Sequence, residues 1–228
     1  MSPRLWVAVL PALREGVFPS LEHASVPFGS DFRTIIDVGA SRGQFALFAK
    51  TRFPHARIIS FEPLPDAERT ATRVLRRVGA EVYSVALGAT VGETTLHVSA
   101  RDDSSSLLGI GPEQVRSFPG TQQDEEVSVH VDVLANYLSD DLARPCLLKI
   151  DVQGFELEVL KGARECLTLV DEVFVEASFI ELYVGQALVG EVVEFLAQND
   201  LHLVDVTGVV RRKDGVALQA DFLFRRAS

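Results

Sequence analysis

From residue 34 onward, short runs of β-branched and apolar residues alternate with longer stretches whose apolar positions recur at helical spacing. This is the pattern of a parallel sheet with crossover helices. TIIDV (34–38) predicts a buried first strand, and 41–53 places Phe45, Phe48, Ala49 and Phe53 on one helical face before Pro54 stops it. ARIISFE (56–62) predicts a second strand. Residues 66–78 predict a helix with Ala67, Ala71, Val74 and Val78 inward, and EVYSVAL (81–87) a third strand after Gly79. Together they form a βαβαβ half of a doubly wound sheet.

The alternation then breaks. ETTLHVSA (93–100) and EEVSVHV (125–131) read as half-exposed antiparallel strands, and the Ser-, Gly- and Asp-containing stretch 101–124 between them predicts a mobile substrate or cofactor loop without a stable core. Order returns with a short helix at 132–138, strand CLLKID (146–151), a helix from Phe155 to about Leu167, strand EVFVEAS (172–178), a helix at 189–198, and strands at 201–206 and 217–225. The expectation is an α/β fold with a seven-stranded, mostly parallel sheet, helices on both faces and a small antiparallel excursion. It occupies one domain over 31–228, behind a helical leader, 1–30, that covers the site.

Composition changes this picture little. The chain has 228 residues, 47% of them hydrophobic, enough to build a full core without disulfides or structural metal. Its net charge of −10 argues against a nucleic-acid partner, which needs a basic face, but not against a cationic small ligand. Cys146 and Cys166 lie in apolar stretches without metal-ligand spacing and read as small core residues. The run LWVAVL after Arg4 falls short of the roughly 20 residues that span a bilayer. Pro11, Arg14 and Glu15 follow it with no cleavage signal, so the expected setting is soluble, reducing and cytoplasmic, with no membrane partner.

Three places carry candidate chemistry. In IIDVGASRGQF, Asp37 sits near the end of the first strand, and Gly39 and Gly43 occupy the turn into the helix, where a ligand can approach backbone N–H groups. A dinucleotide fingerprint would need further glycines where Ser41 and Gln44 stand. The D/E-x-G-x-G-x-G pattern of S-adenosylmethionine-dependent methyltransferases is matched except at Ser41. Glu62, followed by Pro63, ends the second strand where a carboxylate can accept hydrogen bonds from both ribose hydroxyls of a nucleoside; taken alone it is an ordinary loop acid. In LLKIDVQGFELEVLKGA, Lys149 and Asp151 project to one side of their strand and Glu156 falls in the next helical turn. They form either a salt-bridge network anchoring the turn or a site beyond the strand's carboxyl end. His23, beside Glu22 in the leader, is either a general base or a surface residue. His55, His97, His130 and His202 have no Asp or Ser partner placed by sequence.

These stretches, together with FEPL, VAL followed by Gly88, SSSLL and VEAS, resemble the FkbM family of S-adenosylmethionine-dependent methyltransferases over roughly residues 30–206. The resemblance implies a class I methyltransferase (Rossmann-like) fold, S-adenosyl-L-methionine as cofactor, and O-methylation of a hydroxyl on a sugar, glycan, polyketide or related natural product. Position by position, Asp37, Gly39, Ala40, Ser41 and Gly43 would line the methionine and adenosine moiety. Glu62 and Pro63 would lie at the ribose, and Ala86 and Leu87 beside the adenine. Ser104, Ser105 and Ser106 would close over the cofactor or acceptor, and Asp151 would face the methyl group. Ser41 and Gln153 depart from the family's usual Asn and Glu.

The mechanism implied is in-line displacement with a group that takes the hydroxyl proton: Asp151 first, then His23 or Glu176. The place of an Asp-Asn metal pair reads EAS, so no metal is expected. Two alternatives stand beside it, a nucleotide-cofactor (NAD-type) oxidoreductase, which lacks its glycine fingerprint and a Tyr-x-x-x-Lys pair, and a methyltransferase-like domain that only binds. The expected partner is a small-molecule or glycan acceptor, and the sequence leaves a homo-oligomer open.

Overall fold

A computed structural model describes residues 12–29, 31–101, 104–139 and 142–227. The first eleven residues of the leader, with the LWVAVL run, lie outside them. The strands are β1 (Thr34–Val38), β2 (Arg57–Phe61), β3 (Glu81–Tyr83), β4 (Ala86–Leu87), β5 (Gly92–Ser99), β6 (Gln123–Asp132), β7 (Cys146–Ile150), β8 (Glu172–Ser178), β9 (Leu201–Arg211) and β10 (Ala217–Arg226). The helices are α1 (Gln44–Arg52), α2 (Pro65–Leu75), α3 (Pro112–Ser117), α4 (Glu156–Gly162) and α5 (Val189–Ala197).

Seven strands form the main sheet in the order β3-β2-β1-β7-β8-β10-β9. All its pairings are parallel except those of β10, which lies antiparallel between β8 and β9. Strands β1 and β7 are buried along their whole length, as a parallel sheet covered on both faces requires. One face packs Ile35, Leu147 and Phe174 against α1, α2 and the leader residues Val26 and Phe28. The other packs Ile36, Leu148 and Val175 against α4 and α5. From β1 the chain winds outward through β2 and β3. It returns at β7 and winds the other way, so the topological switch point lies between β1 and β7.

Several elements differ from the sequence expectation. The third strand is not continuous over 81–87: β3 pairs with β2 in the main sheet, whereas β4 pairs with β6 in a separate three-stranded sheet, β4-β6-β5. Tyr83, stacked on Phe61 at 5.4 Å and edge-on to Tyr137 at 4.9 Å, sits where the chain leaves the main sheet. The stretch 101–124 contains α3, begun by Pro112, and is tied to the body by backbone bridges from Ser106 to His97 and from Ile110 to Tyr183. The helix expected at 132–138 is a 3-10 turn, Leu134–Tyr137, and that expected to reach Leu167 ends at Gly162. β9 runs five residues beyond the expected 206. Within the leader, the described residues hold a 3-10 turn, Leu21–Ser25.

Both cysteines are buried as expected, and burial pushes the thiol of Cys146 up to about 12 and that of Cys166 to about 11. No helix among the described residues is long and apolar enough to cross a membrane.

Glu172, at the start of β8, tethers the leader to the sheet. Its carboxylate accepts the Gly29 N–H at 3.1 Å and Arg225 Nε at 2.6 Å, while the same guanidinium donates to Pro27 O. Glu172→Ala should strand two donors at a cost of about 2–4 kcal/mol and loosen residues 19–29. Urea denaturation checks the first effect, and faster hydrogen exchange confined to the leader checks the second.

Candidate active site

The strand-to-helix turn after β1 is built on three left-handed residues, Gly39, Ser41 and Gly43, in quick succession. At Gly39 (φ +76°) a Cβ atom would lie 1.8 Å from the Asp151 carbonyl oxygen, so only glycine lets the ends of β1 and β7 close together. Ser41 adopts φ +48°, a strained choice for a non-glycine residue, and its N–H is held at 2.7 Å by Glu62 Oε2. The other Glu62 oxygen accepts the Leu64 N–H at 2.9 Å. Gly43 (φ +96°) faces Leu75 of α2, so its lack of a side chain serves helix packing.

A cavity of about 300 Å³ opens at the switch point. One part of it is walled by Phe61, Val85, Ala86, Leu87, Leu96 and Phe155, together with Glu62 and Pro63. Another part is bounded by Glu22, His23, Phe45, Lys149, Asp151 and Gln153, and Ser105 and Ser106 also line the cavity. Of the residues singled out from the sequence, Gly39, Ala40, Ser41, Glu62, Pro63, Ala86, Leu87, Ser105, Ser106, Lys149, Asp151 and His23 line this one space. Asp37, Gly43, Ser104, Glu156 and Glu176 stand behind the wall.

Asp37 is fully buried and pairs with Lys149, its neighbour across the β1–β7 ladder. The ammonium lies 3.1 Å from Asp37 Oδ1, an ion pair without an aligned hydrogen bond, and donates to Gly39 O at 2.8 Å. It also lies 3.9 Å from Asp151 Oδ2 and 5.5 Å from the centre of the Phe45 ring. Burial opposes charge on Lys149, but Asp37, Asp151 and Glu176 outweigh it and hold the ammonium protonated. Burial likewise pushes Asp37 upward against the pull of Lys149. Lys149 therefore both anchors the turn and reaches the cavity, so the two readings left open by the sequence coexist.

Burial raises Glu62 to about 7 despite its two backbone hydrogen bonds, and raises Glu156, which accepts the Gly154 N–H at 2.8 Å, to about 7 as well. Glu176 is raised well above the carboxylate range by burial, then by Asp151, Asp221 and Glu156. His23 packs edge-on against Phe174 at 5.2 Å and Phe45 at 5.7 Å, and burial lowers its basicity even with Glu22 at 3.8 Å.

Gln153, Tyr183 and Asp221 were not found as site residues from the sequence. Gln153 adopts φ +56°, and its Nε2 donates to Asp151 Oδ1 at 2.8 Å and Glu176 Oε2 at 3.1 Å. Its Oε1 accepts from the Tyr183 hydroxyl at 2.8 Å, and its backbone carbonyl from Ser106 Oγ at 2.6 Å. Asp221, directly opposite Glu176 in the β8–β10 ladder, reaches within 4.0 Å of His23 Nδ1. The one sequence signal was the unusual Gln153 in an otherwise family-like block.

The sequence profile described as the methyltransferase FkbM domain matches residues 37–203. The chain belongs to this family. It is 32% identical over 165 residues to Methyltransferase 1 of Beauveria bassiana, covering 66% of each chain. It is 28% identical to the 2-O-methyltransferase NoeI of Sinorhizobium fredii, covering 73% of this chain and 72% of that one. With the hexuronic acid methyltransferase AglP of Haloferax volcanii it shares 29% identity, over 61% of this chain and 54% of that protein. Part of each relative's length thus lies outside the match. The lining of this FkbM chain's cavity, with apolar side chains, the Glu62 carboxylate and the glycine turn, suits the base, diol and methionine parts of S-adenosylmethionine.

Two consequences can be measured. An acid whose folded pKa is raised stabilises the fold below its unfolded value, and that contribution is lost as pH rises through the folded one. For Glu62 the window runs from 4.5 to about 7. Glu62→Gln should therefore flatten the fall in stability of the ligand-free protein across it, by at most about 1.4 kcal/mol per pH unit, read by urea denaturation at several pH values. Lys149→Met should cost about 3–5 kcal/mol by stranding buried Asp37, and the double change Asp37→Leu, Lys149→Met should recover much of that loss.

Proposed function

We propose that this protein is an S-adenosylmethionine-dependent O-methyltransferase acting on a hydroxyl of a sugar, glycan, polyketide or related natural product. The observation that carries the reading is one cavity joining an apolar slot and ribose-type acid at one end to Asp151, His23 and Gln153 at the other. Family membership supports methyl transfer, a relative named as a 2-O-methyltransferase favours oxygen as the acceptor atom, and one named for hexuronic acid favours a sugar-type acceptor.

Bound S-adenosylmethionine supplies a methyl group made electrophilic by its sulfonium. The chain's own part is positioning and proton handling. Glu62 keeps lone pairs for a ribose diol beyond the two that hold Ser41 and Leu64. Phe61, Val85, Leu87 and Phe155 exclude water from the base. Asp151, 40% exposed on its side chain and with Oδ1 held by Gln153, presents a carboxylate to the acceptor hydroxyl. It takes the proton as the oxygen–carbon bond forms. Glu176 lies one residue deeper and acts on Asp151 through Gln153. His23, kept neutral by burial among aromatic rings, is the alternative proton acceptor.

Asp151→Asn should lower turnover by about 10²–10⁴ while S-adenosylhomocysteine affinity, read by calorimetry, changes little. A loss confined to cofactor affinity would make Asp151 a binding residue, and normal turnover would move the base to His23. Glu62→Gln, which keeps the shape of the turn, should weaken S-adenosylhomocysteine binding about tenfold or more. Failure of the folded protein to bind it at all would sink the reading.

A further inference from the structure

The charge around the acceptor end of the cavity is one-sided. Glu22 and Asp151 form part of its wall. Glu176 stands directly behind Gln153, and Asp221 directly behind His23. Among the described residues, the two basic side chains that line the cavity are Lys149 and His23. Lys149 is already committed to Asp37 at 3.1 Å and to the Gly39 carbonyl at 2.8 Å. His23 is enclosed by three aromatic rings, and burial keeps it neutral. The acids are crowded enough to resist ionising: burial and the nearby Asp151 push Asp221 to about 7 and Glu176 higher than its usual range. An anion placed here finds no uncommitted cation among the described residues and adds charge beside acids that already hold one another back from ionising, whereas hydroxyls or an ammonium meet carboxyl acceptors and an ammonium draws them into their charged form.

Resting on the methyltransferase reading, we propose that the acceptor is uncharged or cationic where it meets this cavity: a neutral polyol or an amine-bearing sugar, and not a uronate, sulfate or phosphate ester. The site thus differs in acceptor charge from the relative named for hexuronic acid. The hydroxyl of Ser105 is the neutral donor that meets the acceptor's oxygens, since both N–H groups of the Gln153 amide are committed to Asp151 and Glu176, and the surrounding carboxylates accept from the acceptor's hydroxyl or amine hydrogens.

The test has two arms on the full chain. In the first, labelled S-adenosylmethionine is offered with a matched set: methyl glucoside, its 2-amino-2-deoxy analogue and methyl glucuronide. The neutral or amino member should be methylated at least tenfold faster than the glucuronide, and a preference for the glucuronide would overturn the proposal. The second arm needs no acceptor. Sinefungin, which carries an amine where S-adenosylmethionine carries its methyl-sulfonium, is compared with uncharged-sulfur S-adenosylhomocysteine by calorimetry on the native protein, Asp221→Asn and Glu22→Gln, each first shown to be folded by thermal melting. Measured above pH 7, where Asp221 carries its charge, the ratio of sinefungin to S-adenosylhomocysteine affinity should fall about threefold to tenfold in the variants, as loss of a nearby negative charge requires. An unchanged ratio in both variants overturns the proposal even if cofactor binding is intact. Absence of S-adenosylhomocysteine binding overturns the methyltransferase reading and this proposal with it.

Discussion

A buried ammonium facing a buried carboxylate is the constraint on which the rest of the site depends. Asp37 and Lys149 are cross-strand neighbours in the β1–β7 ladder, on the strands that flank the switch point. Taking both charges out of water costs several kcal/mol per ion, so neither residue is tolerable there without the other. A slip of one strand by one residue would turn its member of the pair to the opposite face, away from its partner, and the pair therefore fixes the register of the two central strands. The same ammonium holds the Gly39 carbonyl, while Glu62 holds the Ser41 N–H two residues further on. The turn is clamped from opposite strands, β7 on one side and β2 on the other, and its strained backbone is stabilised by those two contacts.

The acceptor end is held more indirectly. Asp151 lies just beyond β7, donates its backbone N–H to the Val38 carbonyl and shares the amide of Gln153 with Glu176. The NH2 of that amide faces the two carboxyl groups and its oxygen accepts from the Tyr183 hydroxyl, so all of its hydrogen-bonding groups are used. Tyr183 in turn contacts the Ser104 carbonyl, so the segment over the cavity and the carboxylate within it are parts of one hydrogen-bonded network. The leader enters from the other side, with His23 laid on Phe45 and Phe174.

Much of this was legible in the order of residues, because β-strands buried on both faces and helices with one apolar stripe write distinct periods into a sequence. TIIDV, ARIISFE, CLLKID and EVFVEAS became the expected neighbours, and the glycine turn, Glu62 and Asp151 came together in one cavity. What was hidden depended on tertiary packing. EVYSVAL carries no local mark of the transfer between sheets, which is set by Tyr83 meeting Phe61 and Tyr137. Asp221 looked like any charge in a strand until antiparallel pairing set it opposite Glu176. Gly43 looked like a ligand-facing glycine, and its requirement comes from Leu75, more than thirty residues away in sequence.

The placement of β10 bears on how the molecule is made. This strand follows all the other described strands in sequence, yet it lies inside the sheet, with β8 on one side and β9 on the other. During synthesis from the N-terminus, β8 keeps an open hydrogen-bonding edge and β9 has no partner in the sheet until residues 217–226 emerge. Because Asp221 rides on that same strand, the carboxylate basin next to His23 assembles in the same late step that closes the sheet, and a chain caught short of it exposes a sticky edge and an incomplete pocket together.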